Sequence, residues 1–163
     1  DRPGGNQVFL ERIKMMRKDF SEKDDKIFLP YHDLSTNANR SRQFELLASL
    51  PFVTAQREKQ GLFQYYDSIN NHKFVIGLEG SGPDIHRNYE TMLMGSIPIN
   101  IKNCIESLFN FHKANGVFLN NWDELNDDKF EHILLGKYDN YQNDKFLNLD
   151  YHIKLINIKL NKG

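Results

Sequence analysis

The chain has 163 residues and a mass of 19.2 kDa, which fits one α/β or all-β domain and is too short for two full-sized ones. Apolar residues make up 39% and charged residues 26%, with twelve phenylalanines and seven tyrosines, so a packed core is expected and disorder, collagen and coiled coil are excluded. The formal charge of -1 excludes a bulk electrostatic attraction to nucleic acid or anionic lipid, and we expect no nucleic-acid partner.

The single cysteine, Cys104, excludes an internal disulfide framework. No window reaches the eighteen apolar residues of a membrane span, so we expect a soluble, cytoplasmic chain without one. A Golgi-lumenal or membrane-anchored parent protein is the alternative. The chain begins without Met at Asp-Arg-Pro-Gly-Gly, which is more typical of a linker or a cut site, and we therefore expect a fragment of a larger protein.

Taken in chain order, apolar side chains at helical spacing predict a first helix over 8–20. We assign residues 1–25 to an N-terminal helix or interdomain segment and residues 26–163 to one domain. Short apolar runs predict strands, and the segments between them predict helices. The predicted strands are 26–31, 52–56, 73–80, 96–101 and 116–120. The predicted helices are 40–50, 60–71, 84–95 and a tail from residue 122 onward, while 149–160 fits either a closing helix or a strand.

The predicted strands are apolar without polar alternation and are separated by segments of about ten residues. This pattern is typical of a parallel sheet that is covered on both faces. The sequence therefore predicts a Rossmann-like α/β domain with about five strands and helices on both faces.

In such a sheet, ligands bind beyond the carboxyl ends of the strands. The loop over 78–87 leaves the most apolar strand and enters a helix. Gly80 and Gly82 allow close approach of a ligand, and Asp84 is placed to cap the helix. The free amides of the first helical turn favour an anion. Arg87 adds a cation with the geometry for phosphate oxygens, and Glu90 lies on the same helix face.

A cation and a carboxylate together suit a sugar diphosphate, with Arg87 on the phosphates and Glu90 on ribose hydroxyls. The alternative is a common glycine-rich turn with a surface ion pair. The loop lacks the third glycine of G-x-G-x-x-G, and the chain contains no P-loop motif, so dehydrogenase and kinase-like functions lose support.

The segment over 73–100 resembles the motif of exostosin-like and related viral or bacterial glycosyltransferases. The family pattern is an apolar strand followed by S-P-E-G-x-G-x-D-x-H-R, W-E-x-L and G-x-I-P-I. The positions that match in register are Glu79, Gly80, Gly82, Asp84, His86, Arg87, Glu90, Leu93, Gly95, Ile97, Pro98 and Ile99. The chain differs from the pattern at Leu78, Ser81, Pro83 and Tyr89. Weaker resemblance extends the similar region to roughly residues 27–135.

The resemblance implies the C-terminal, donor-binding half of a GT-B glycosyltransferase. It implies a nucleotide-sugar donor, a glycan acceptor and an N-terminal acceptor domain absent from this chain. The catalytic base would lie in that domain, so the isolated chain would bind without catalysing. Gly80, Gly82, His86, Arg87 and Arg40 are the expected diphosphate-binding residues. Glu79, Asp84 and Glu90 are the expected residues for the ribose or the sugar.

Enzymes of this class are typically metal-independent, and the chain has no Asp-x-Asp motif, so we expect neither a metal nor another cofactor. Five histidines at positions 32, 72, 112, 132 and 152 show no metal-ligand spacing and are predicted to be surface or core residues. Met92 and Met94 are predicted to be core, and packing is the preferred role of Trp122 over a wall of the nucleotide pocket. Weaker candidates lie in the first strand-to-helix loop, at the same edge of the predicted sheet: Tyr31, Ser35, Asn37 and Arg40. Arg40 is either a second phosphate contact or part of a capped helix start.

Two further functions compete with the transferase. One is a non-catalytic nucleotide-binding or interaction module of a larger protein. The other is a phosphate-binding α/β protein unrelated to sugar transfer.

Overall fold

The structure is a computed structural model and describes residues 15–36, 39–80 and 86–148. Five parallel strands form one sheet in the order β2-β1-β3-β4-β5. The strands are β1 (Asp24–Leu29), β2 (Val53–Ala55), β3 (His72–Ile76), β4 (Ile97–Ile101) and β5 (Val117–Leu119). This arrangement confirms the predicted Rossmann-like α/β fold.

Helices connect the successive strands and continue after the last one. They are α1 (Arg40–Ala48), α2 (Leu62–Asn71), α3 (His86–Leu93), α4 (Cys104–His112), α5 (Asp127–Leu134) and α6 (Asn140–Phe146). Short 3-10 turns lie at Phe20–Glu22, Leu34–Thr36 and Trp122–Glu124. No helix among the described residues is long and apolar enough to cross a bilayer.

Both faces of the sheet are buried, because successive side chains of a strand point to opposite faces. Ile27 and Leu29 of β1 pack with Phe44 of α1 on one face. Phe28, which lies between them in β1, packs with Tyr66 and Ile69 of α2 on the other face. Helices on both sides therefore explain why the strands are apolar at nearly every position.

Several predicted core residues are confirmed. Trp122 is 5% exposed and belongs to the main core, and Met92 and Met94 are fully buried. Gly95 follows α3 with a φ of +69°, which confirms the predicted helix end there. An added Cβ at Gly95 would meet only the end of the flexible Arg17 side chain, so it is the left-handed φ that favours glycine here.

Some element predictions were incomplete or wrong. The helix predicted over 8–20 does not reach its predicted end, because 17–19 have no regular structure; residues 1–14 lie outside the described part. The alternatives for 149–160 also fall outside it. One helix was missed, α4, although its Ile105 and Phe109 have helical spacing and are both buried. Helices α5 and α6 both fall within the tail that was predicted to be helical from residue 122 onward.

Lys23 is buried at the amino end of the sheet, 4% exposed. Its ammonium donates to the carbonyl oxygens of Asn70 at 2.7 Å and Met94 at 2.9 Å. These carbonyls lie at the carboxyl ends of α2 and α3, where a cation is favoured by the helix dipoles. Lys23 therefore ties two helices to the edge opposite the predicted ligand site.

Candidate functional site

The strand order reverses between β1 and β3, since β2 lies on one side of β1 and the later strands lie on the other. In open α/β sheets, the crevice at such a point, beyond the carboxyl ends of the strands, is where ligands bind. The loops that leave β1 and β3 are neighbours here. The predicted glycine-rich loop is thus at the topological switch point, although its Gly82 and Asp84 lie outside the described residues.

Arg40, at the start of α1, ties these two loops together. It is 7% exposed. Its guanidinium donates to the carbonyl oxygens of Asp33 at 2.8 Å, Leu78 at 3.0 Å and Glu79 at 3.1 Å. A Cβ added to Gly80 would lie 3.2 Å from the Arg40 Nη2 atom, so glycine allows the close approach. Arg40 thus organises the backbone of the site, and its phosphate contact stays a prediction.

The Glu79 side chain points to another neighbour. Its carboxylate accepts a hydrogen bond from the Asn103 amide at 2.7 Å. Asn103 also caps α4, because its side-chain oxygen accepts from the backbone N–H of Ile105 at 2.8 Å. The loop after β3 is therefore linked on one side to the loop after β1 and on the other to the start of α4.

His32 provides a second link between the loops after β1 and β3. It is 2% exposed. Its Nδ1 lies 2.6 Å from the carbonyl oxygen of Pro30, which can only accept, so Nδ1 carries the proton. Nε2 then accepts from the backbone N–H of Leu78 at 3.3 Å. His32 is a neutral core residue with both ring nitrogens hydrogen-bonded, and the core role, one of its two predicted roles, is thus confirmed.

Protonation of His32 opposes folding. Burial, aided by the positive charge of Arg87, lowers the pKa of His32 to about 3 from its usual value of 6.5. Between these values the unfolded chain binds a proton on this side chain and the folded chain does not. The free energy of unfolding should therefore fall as the pH falls below 6.5, by up to about 1.4 kcal/mol per pH unit from His32 alone.

Chemical denaturation at pH 7, 6 and 5 measures this slope. A His32→Gln variant should lose the contribution of His32. The matched control is His132→Gln, because His132 is exposed on α5. An identical pH slope in the wild type and the His32→Gln variant would contradict the assignment.

Arg87 lies in the first turn of α3 and is held by two groups. Its Nε donates to the Tyr65 hydroxyl at 3.2 Å, and its Nη2 donates to the Tyr31 carbonyl oxygen at 3.3 Å. Its guanidinium carbon also lies 5.9 Å from the centre of the Tyr65 ring. No residue of the described ranges bonds to its Nη1, which leaves donors for a ligand.

Glu90 completes the cluster one turn further along α3. Its carboxylate accepts hydrogen bonds from the hydroxyls of Tyr65 at 2.6 Å and Tyr66 at 3.4 Å. Within the described part of the chain, Arg87 and Glu90 form no direct ion pair; they are joined through the Tyr65 hydroxyl. The predicted alternative of a surface ion pair is therefore not what the structure has.

A cleft of about 290 Å³ opens beside this cluster. It is lined by polar and apolar side chains from four elements: Tyr31, Lys59, Gln60, Leu62, Tyr65, His86, Arg87 and Glu90. Lys59 and Arg87 make it suitable for an anion, and Glu90 is suited to hydroxyl groups. Three predicted site residues, His86, Arg87 and Glu90, thus meet in one cleft.

Four of the five other cleft residues were missed in the sequence, and the fifth, Tyr31, was only a weaker candidate there. Lys59, Gln60 and Leu62 come from the loop and helix start after β2, and Tyr31 comes from the loop after β1. Both loops leave carboxyl ends of strands next to the switch point, so the predicted topology was a signal that pointed to them. Tyr65 lies within α2 and not in such a loop, so the predicted topology did not point to it.

A second cavity of about 680 Å³ lies on the other side of Glu90. His86 and Glu90 line both cavities, whereas Tyr66 and Tyr89 line the second one. Arg17 and Asp144, also in its wall, form an ion pair with a distance of 2.5 Å. Glu90 is therefore part of the wall between the two cavities.

Arg40, Glu79 and Gly80 are not among the described residues that line the cleft, and Gly82 and Asp84 lie outside the described part of the chain. Cys104 is exposed at the start of α4, and the described residues contain no group of three or more potential metal ligands.

A scan against protein-family models and a search of curated proteins found no match to this chain.

Proposed function

We propose that the chain is the donor-binding half of a glycosyltransferase that moves a sugar from a nucleoside diphosphate sugar to a glycan or another acceptor. The observation that carries the proposal is Arg87 at the start of α3, whose Nη1 bonds to no residue of the described ranges, in a cleft at the switch point that it shares with Glu90. The motif over 79–99 supports it, since its matched residues supply this cluster.

In this function the reaction creates negative charge on the bridging oxygen of the leaving diphosphate. Arg87 stabilises that charge because its donors are already oriented in the free protein. A charge-assisted hydrogen bond of this kind contributes about 1.5–3 kcal/mol to the free energy of the interaction. The proposal needs no metal, because Arg87 and the backbone amides at the start of α3 supply the positive potential.

Glu90 would bind hydroxyl groups of the ribose. Its two oxygens already accept from Tyr65 and Tyr66, and a carboxylate has room for further donors. The acceptor-binding site and the catalytic base would come from a partner domain, so this chain by itself would bind the donor without transferring the sugar.

The test is calorimetric titration of the folded chain with UDP, GDP, ADP and their sugar conjugates, beside inorganic phosphate and simple sugar phosphates. We expect one nucleoside diphosphate and its conjugate to bind in the micromolar to millimolar range and sugar phosphates to bind more weakly. Sugar phosphates that bind equally well would favour the unrelated phosphate-binding protein. Absence of binding by every nucleotide would contradict the proposal. Binding without turnover by the complete natural protein would favour a non-catalytic module.

A further inference from the structure

Tyr65 lies between the two charged residues of the cleft, and nothing in the motif includes it. Its hydroxyl accepts from Arg87 Nε at 3.2 Å and donates to Glu90 at 2.6 Å. We infer that Tyr65 is a positioning residue, whose hydroxyl fixes the Arg87 guanidinium at the cleft and joins it to Glu90. Its role in ligand binding rests on the proposed function.

The direction of these two hydrogen bonds follows from the chemistry of the groups. The guanidinium can only donate and the ionised carboxylate can only accept, so the phenol must accept from one and donate to the other. Burial, with Glu90 nearby, raises the pKa of Tyr65 well above its usual range despite the opposing charge of Arg87. The phenol therefore keeps the proton that it donates to Glu90.

The position of Arg87 depends on this chain of bonds. Its remaining described anchors are the Tyr31 carbonyl at 3.3 Å and the face of the Tyr65 ring. An arginine side chain has several rotatable bonds, so loss of the Nε bond would allow the guanidinium to leave the orientation seen here. The guanidinium would then be held less often in its present position at the cleft wall.

Tyr66 provides a matched control on the same helix. Its hydroxyl also reaches Glu90, at 3.4 Å, but Tyr66 lines the second cavity, and the bonds of Arg87 with described residues go to Tyr65 and Tyr31 instead. Tyr65→Phe and Tyr66→Phe each remove one hydroxyl and keep the ring. The two variants therefore differ in whether the bond to Arg87 is lost.

The first measurement needs no ligand. Hydrogen exchange of the Arg87 Nε–H is followed by NMR, with its signal assigned from an Arg87→Lys variant. We expect Tyr65→Phe to accelerate the exchange about fivefold and Tyr66→Phe to leave it unchanged, since one such hydrogen bond contributes about 1 kcal/mol. Equal exchange rates in the wild type and the Tyr65→Phe variant would overturn the inference.

The second measurement is the affinity for whichever of UDP, GDP and ADP binds the wild type most tightly. Tyr65→Phe should weaken this affinity about fivefold and Tyr66→Phe less than twofold. In an Arg87→Ala background, Tyr65→Phe should have no further effect on it, because the residue to be positioned is gone. Independent, additive losses would overturn the positioning role.

The two measurements separate the inference from the proposed function. If none of the three nucleotides binds the wild type, the proposed function fails, and the exchange rate of the Arg87 Nε–H still decides whether Tyr65 positions Arg87. If a nucleotide binds but Tyr65→Phe and Tyr66→Phe behave alike, the inference fails and the proposed function stands.

Discussion

Replacement of Arg40 by alanine should lower the free energy of unfolding by about 3–5 kcal/mol. The guanidinium is buried and donates to three backbone carbonyls, those of Asp33, Leu78 and Glu79. Alanine would remove all three bonds and leave the buried Leu78 carbonyl without this donor. Chemical denaturation monitored by circular dichroism at neutral pH measures the change.

Two variants make this prediction specific. Arg42→Ala removes an exposed arginine from the same helix and should change the free energy of unfolding by less than about 0.5 kcal/mol. Arg40→Lys keeps the charge but not the planar set of donors, so it should recover only part of the loss. If Arg40→Ala were as stable as Arg42→Ala, Arg40 would not hold the loops after β1 and β3 together.

The second large effect is expected on binding. Arg87→Ala should weaken the affinity for the preferred nucleoside diphosphate ten- to a hundredfold, which corresponds to about 1.4–2.7 kcal/mol. Arg87 is only partly buried and makes two hydrogen bonds with the described residues, so its removal should cost much less stability than that of Arg40. Isothermal titration calorimetry measures the affinity.

The control for Arg87→Ala is again Arg42→Ala, which removes the same charge from a position outside the cleft. It should leave the affinity within about twofold of the wild type, since a distant exposed charge is screened at physiological salt. Equal affinities of the Arg87→Ala and Arg42→Ala variants would show that the diphosphate, if bound, does not contact Arg87.

These two predictions assign different roles to two arginines that the sequence placed together as phosphate contacts. Arg40 has its described donors on backbone carbonyls, and it shapes the loops from which the ligand site is built. Arg87 lines the cleft, and its Nη1 donors bond to no residue of the described ranges. The loops that Arg40 holds in place therefore support the ligand-binding role that is proposed for Arg87.

The strands could be predicted from the sequence because a parallel sheet covered on both faces needs apolar residues at nearly every position. The run over 74–78 is buried throughout, and β3 lies at the centre of the sheet. His86, Arg87 and Glu90 could be predicted as a group because they follow one strand and occupy one helix turn. Local spacing is sufficient for residues that share an element.

Contacts between distant segments could not be predicted in this way. Lys59, Tyr65 and Arg87 line the same cleft because β1 lies between β2 and β3, and this order is set by packing of the whole sheet. The bonds of Arg40 to Leu78 and Glu79 join residues almost forty positions apart. The missed helix α4 is different, since its apolar spacing was present in the sequence.

The most direct test of the central claim is an NMR titration of the wild-type chain with UDP, GDP and ADP. We predict that at least one of them, at up to millimolar concentration, shifts backbone amide signals of 77–80 and 86–90 most strongly. Signals near Lys23, at the opposite edge of the sheet, should stay in place. Unchanged spectra with all three nucleotides, or shifts centred near Lys23, would contradict a nucleotide-sugar site at the switch point.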